Sequence, residues 1–127
     1  MGQGHENSGY DLGTGLKAAG DLRAEQYKVV DITSGEITVV GAATDTYVGV
    51  LQNAPNTGEP CTVKATGITK AIAGSVLATV GTRLMCDSTG RVVAHTTTNC
   101  QIGILLSTAA AANDVVTIDI IRQYKAP

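Results

Sequence analysis

The chain contains no tryptophan and no phenylalanine; four tyrosines are its whole aromatic complement among 127 residues. A core must therefore come from Val, Ile, Leu and Ala, each large aliphatic contributing roughly 1.5–3 kcal/mol when fully buried. So few rings also exclude an aromatic platform for bases or sugars. Clustered positive charge is absent as well. Nine Lys and Arg face eleven Asp and Glu, giving a net charge of −2, with both signs scattered along the chain. That distribution leaves no electrostatic footprint for nucleic acid. No run of about 18 apolar residues occurs, so no segment reads as a membrane-spanning helix. The N-terminus is polar and Gly-rich, the opposite of the apolar core of a signal peptide. These absences together lead us to expect folding in a cytoplasm, with neither membrane nor nucleic acid as partner. Cysteine is sparse: Cys61, Cys86 and Cys100 cannot all pair within one chain. Without an export signal they read as reduced thiols that pack as small hydrophobes.

What is present favours β structure. Threonine occurs 17 times, and with Val and Ile it suits pleated, half-buried surfaces. The length suits one domain able to fold without metal or disulfide staples. Residues 1–20, "MGQGHENSGYDLGTGLKAAG", hold six glycines and little apolar surface. They read as a flexible arm that orders on binding a partner. Residues 21–127 read as a single β-rich domain. Within it "EQYKVVDIT" and "EITVVGA" flank a Ser34-Gly35 turn, and "TRLMCD" and "RVVAHT" flank Ser88-Thr89-Gly90 as a hairpin. "CTVKATG" alternates Cys61, Val63 and Ala65 against Thr62, Lys64 and Thr66, and "VVTIDIIRQ" places Val116, Ile118 and Ile120 on one face. "TAAAAND" is consistent with one helical turn, but helical periodicity is sustained nowhere. Strands at this spacing, with turns between them, indicate an all-β, compact antiparallel barrel or sandwich carrying a flexible Gly-rich N-terminal arm.

One phrase is written twice. "YVGVLQNAPNTGEPCTVKATG", residues 47–67, is echoed by "QIGILLSTAAAANDVVTIDII", residues 101–121. Each copy is an apolar strand holding one glycine, a loop, and an acidic residue opening an alternating strand. Glycine inside a strand marks a bulge or the close approach of another backbone. Two such units can pack as one small body, and chance similarity of short phrases is the competing explanation.

Candidate chemistry is thin. Cys86, Asp87, His95 and Cys100 lie near one another in sequence but lack the tight ligand pairs of zinc sites, and no cofactor or metal is expected. His95 is the only histidine in the β region, and a structural role suits it better than that of a base. His5 lies in the arm. "GTGLKAAG" has the wrong glycine spacing for a phosphate loop and no strand before it. "DSTG" lacks the acidic oxygens of a calcium loop, and Asp87 instead suits an Asx bond within its own turn. No pair of carboxylates stands out for acid–base work. By elimination the chain is not an enzyme, and its surface is its product.

The phrases "YKVVDIT", "YVGVLQNAPNTGEPCTVKATGITKAIAG", "GTRLMCDSTGRVVAHT" and "QIGILLSTAAAANDVVTIDII" follow one another in an order that resembles the small capsid cement, or decoration, proteins of tailed bacteriophages. The resemblance covers about residues 22–121; Cys61 stands where that family would carry a plain Val. It implies a structural virion protein on the outer surface of the phage head, made in the bacterial host cytoplasm, that bridges major capsid protein subunits. It also implies self-association, as a homotrimer. A head-surface adhesion or receptor-binding module is the alternative. The candidate contact residues are Tyr10, Leu12 and Leu16 in the arm, Asn53, Pro55 and Asn56 in the first loop, and Asp87 and Arg91 at the second hairpin.

Overall fold

A computed structural model of the chain describes residues 9–11, 16–41, 47–96 and 101–123. Among the described residues nine strands form one antiparallel, curled sheet, and no helix occurs. They are β1 (Gly9–Asp11), β2 (Val29–Thr33), β3 (Glu36–Val39), β4 (Gly49–Leu51), β5 (Val63–Ile72), β6 (Arg83–Cys86), β7 (Val92–Ala94), β8 (Gln101–Leu105) and β9 (Val115–Gln123). Their order across the sheet is β3-β2-β4-β5-β9-β8-β6-β7, with β1 added on β5. Alternation does what the sequence indicates. Cys61, Val63 and Ala65 are buried, as are Val116, Ile118 and Ile120. Ser34 and Gly35 both take positive φ (52° and 80°), closing β2 and β3 as a two-residue hairpin. The stretch around Ala109–Asp114 is a tight turn rather than a helical one: the Asp114 carboxylate accepts the N–H groups of Ala110 and Ala111 (3.0 and 3.1 Å).

The strand order is a palindrome about β5 and β9, and it has a simple cause. Hairpin β2–β3, then β4, then β5 is repeated as hairpin β6–β7, then β8, then β9. The registers agree residue by residue. Val30 lies opposite Gly49 as Leu84 lies opposite Gly103; Val50 lies opposite Lys64 as Ile104 lies opposite Asp119. Loop bonds repeat too. Ala18 N–H donates to Glu59 O (3.0 Å) as Ala73 N–H donates to Asp114 O (2.8 Å), and Leu22 N–H donates to Pro55 O as Leu77 N–H does to Ala109 O (both 2.9 Å). The doubled phrase is therefore a structural duplication, and the chain consists of two like units. Each curls on itself. The segment past β1 bridges β3 at Ala18 and Ile37, and the end of β5 bridges β7 at Ala73 and Val92.

The core follows the units. A smaller cluster of Ala18, Leu22, Val30, Ile37, Leu51, Cys61 and Val63 fills the first. Every member has a buried counterpart in the larger cluster that fills the second: Ala73, Leu77, Leu84, Val92, Leu105, Val116 and Ile118. The larger cluster also takes in Val29, Val40, Tyr47 and Val50 from the first unit, and so joins the two. Gly49 and Gly103 explain the glycine in each phrase. A Cβ there would collide with the carbonyl oxygen of Lys64 or of Asp119, on the neighbouring strand, so only glycine allows these backbones to approach.

Candidate functional site

The sequence-derived contact residues fall into two places. In the first unit, the loop from Gln52 to Pro60 packs beside the segment Leu16–Leu22. Cys61 N–H donates to Leu16 O (2.8 Å) and Gly58 N–H to Ala18 O (2.9 Å). Asn53 ties the loop base: its Nδ2 donates to Pro60 O (3.0 Å) and its Oδ1 accepts Thr62 N–H (2.9 Å). Asn56 N–H donates to Glu59 Oε1 (2.7 Å), the same bracing that Asp114 gives the second loop. Pro55 is buried, so the loop presents Ala54 and Thr57–Pro60 to solvent. Leu16 is half-buried against the smaller cluster. Tyr10 lies in β1, its backbone opposite Thr66; Leu12 is outside the described residues.

Asp87 and Arg91 occupy the second place, the β6–β7 tip. Asp87 Oδ1 accepts the N–H and hydroxyl of Thr89 (2.8 and 2.9 Å) and the N–H of Arg91 (3.0 Å). Its Oδ2 accepts Arg91 Nε (3.0 Å), and Arg91 Nη1 reaches Asn113 Oδ1 (3.1 Å). Burial alone pushes the Asp87 carboxyl up, but the bonds from Thr89 and Arg91 and the Arg91 charge outweigh it and hold it below the usual carboxylate range. The expected Asx turn is present, and both charged groups are half-buried in it. The tip also docks inward: Gly90 is buried and its carbonyl accepts Val29 N–H (2.8 Å). An exposed pair, Asp21 and Arg23, is bidentate at 2.9 and 2.8 Å, and the bonds from Arg23 lower the Asp21 carboxyl to about 2.

Cys61 and Cys86 are both buried, and burial pushes the Cys61 thiol up, away from the reactive thiolate. His95 is half-buried and its backbone N–H donates to Arg83 O (2.9 Å). Cys100 and His5 lie outside the described residues, among which no three His, Cys, Asp or Glu side chains converge on a metal position.

Sequence reasoning missed one surface. The outward faces of β5 and β9 and the residue after β8 carry exposed aliphatics: Ile68, Leu106, Val115 and Ile121. Ile68 and Ile104 both lie opposite Asp119, so these side chains share a face. The signal was in the text: "VVTIDII" begins and ends with two adjacent apolar residues, and in a strand one of each pair must face outward.

Comparison with known proteins agrees with this geometry. No curated protein matches the chain. A solved structure, described as the head fiber gp8.5 N base of bacteriophage phi29, is similar over 93% of this chain and 98% of its own, with a TM-score of 0.68 at 21% identity. That likeness shows a shared β fold. The phage cement protein family matches residues 21–120, which span both units from Asp21 into β9. The chain belongs to the phage cement protein family, whose members are non-enzymatic structural proteins associated with the phage capsid.

Proposed function

We propose that this chain binds the outer surface of the phage head and stabilises it by bridging neighbouring major capsid protein subunits, acting as a homotrimer. The observation that carries this reading is the family match over residues 21–120, which reaches into both units. The surface supports it: exposed aliphatics lie on a rigid sheet, and the loop from Asn53 to Pro60 is braced at both ends. In this reading the loop that Asn53, Pro55 and Asn56 shape grips the capsid through its exposed Ala54 and Thr57–Pro60, and the arm grips it through Tyr10, Leu12 and Leu16. Asp87 and Arg91 hold the second tip in shape. Many weak contacts on one lattice act together through effective concentration.

A ligand that binds only the assembled head raises head stability by linkage, about 2.7 kcal/mol per site at one hundred times Kd. Purified protein added to expanded heads that lack it is expected to saturate at a fixed ratio to the major capsid protein. Those heads then survive more heat before releasing DNA. Replacing Tyr10 and Leu12 by Ala tests the arm without touching Ala18, which belongs to the core; weaker binding by the altered chain supports a clamp. Failure of the full chain to bind any head form sinks the cement reading. The likeness to a head fiber base favours a second reading, a platform for host adhesion; binding to host cells together with no gain in head stability would select it.

A further inference from the structure

The duplication makes the contact between the two units readable as a template. The first unit packs against the second through Val29, Val40, Tyr47 and Val50, all in the larger cluster. Two hydrogen bonds secure it: Val29 N–H to Gly90 O, and Tyr47 Oη to Gln101 O (3.1 Å). The second unit contributes its β6–β7 tip, where Gly90 is buried and Cys86 is 3% exposed.

Each side of this contact has a counterpart elsewhere on the molecule. The positions matching Val29, Val50 and Val40 are Arg83, Ile104 and His95. Arg83 lies directly opposite Ile104 in the sheet, as Val29 lies opposite Val50. Arg83 is exposed and Ile104 half-buried. The positions matching Cys86 and Gly90 are Ile32 and Gly35 at the β2–β3 tip. Here Ile32 is 39% exposed, and Gly35 and Glu36 are exposed as well. The charges complement: the second-unit face carries Arg83, and the first-unit tip carries Asp31 and Glu36. Arginine suits such a junction, because its stem covers apolar surface while its head reaches a carboxylate.

We propose that the second unit of one copy packs on the β2–β3 tip of another as the first unit packs on the β6–β7 tip within the chain. Ile104 meets Ile32, and Arg83 meets Asp31 and Glu36. The partner is a second copy of this chain; the inference rests on the self-association in the function proposed above and assigns it a surface. The two sides of the contact differ, so it is head-to-tail, and it either closes into a ring or continues as an open array.

Charge reversal tests it. Arg83→Glu and Glu36→Arg are each expected to weaken self-association by about tenfold or more at low salt, since reversal sets like charges together. Placing both reversals in one chain restores it to within about threefold of the original. Mass is read by sedimentation equilibrium. Thermal melting of dilute samples confirms that each variant is folded. The proposal is overturned if either single reversal leaves the association constant unchanged, or if the double variant is no tighter than the singles. It is also overturned if the unaltered chain stays monomeric at millimolar concentration. Saturation of heads by the unaltered chain, set beside its own self-association, separates the two readings. Normal saturation with no self-association removes this contact and keeps the cement function; loss of both removes both.

Discussion

The two units share backbone bonds position by position yet differ at their outer faces. Both enclose the same seven buried positions, and Leu51 and Leu105 are fully buried in each. Around them the residues diverge. Valines at 29, 40 and 50 become Arg83, His95 and Ile104, and an exposed Ile32 becomes a buried Cys86. The difference teaches that the fold is specified by a small set: the glycine of each apolar strand, the acidic brace of each loop and the inward aliphatics. The remaining positions decide what each unit touches. The first unit's outer face is apolar because it is covered within the chain.

The sharpest way to break this comparison is at the paired glycines. Gly49→Ala and Gly103→Ala each force a Cβ onto a neighbouring strand's carbonyl, and each is expected to cost about 3 kcal/mol. Chemical denaturation measures both; costs differing by more than about 1 kcal/mol would show that the duplicated registers are not energetically alike. Next in size is Asp87→Asn, expected to cost about 2 kcal/mol by weakening the charge-assisted bonds that Asp87 accepts in the second tip, where the matching position of the first tip is Thr33. Because the folded-state pKa of Asp87 is depressed, its contribution is complete above the unfolded carboxyl value of about 4 and is lost as the pH falls through the lower folded value. The stability gap between the original chain and Asp87→Asn should therefore narrow in acid; a gap independent of pH would refute the assignment. The smallest effect compares Cys86→Ser with Ile32→Ser. Burying a hydroxyl at 86 is expected to cost about 1–2 kcal/mol, and the exposed position 32 within about 0.5 kcal/mol, in melts of the dilute monomer. Equal costs would mean that Ile32 is packed after all.

Much of this was legible in the sequence. Period-2 alternation gave the inward faces of β5 and β9, and Ser34-Gly35 gave its hairpin, because both signals are local. The repeated phrase was legible as a suspicion. Its proof lies in registers such as Val50 with Lys64 and Ile104 with Asp119, which no short phrase encodes. The arm boundary at residue 20 was drawn from composition, yet Ala18 is 1% exposed and bonded to the first loop. Small residues in a Gly-rich stretch carry no periodic signal, so a pairing of this kind leaves no mark. Asp87 and Arg91 were legible as a turn, but their inward docking depends on Gly90 meeting β2, a contact between distant segments. The aliphatic outer surface was hidden because an alternation argument looks for the buried phase and discards the other.

The sharing of β5 has a consequence for synthesis. The strand pairings of the first unit, including Gly9 with Gly67, use residues no later than Gly67, whereas from Gly67 to Ile72 β5 pairs with β9, near the end of the chain. A chain emerging from the ribosome can therefore close its first unit while the rest of β5 still presents an unpaired edge. Val29, Val40, Tyr47 and Val50 also wait for the larger cluster until the second unit arrives. During that interval another nascent chain can supply the missing strand. The interval between synthesis of Ile72 and that of Gln123 is thus when β5 is most open to pairing with a neighbour's β9.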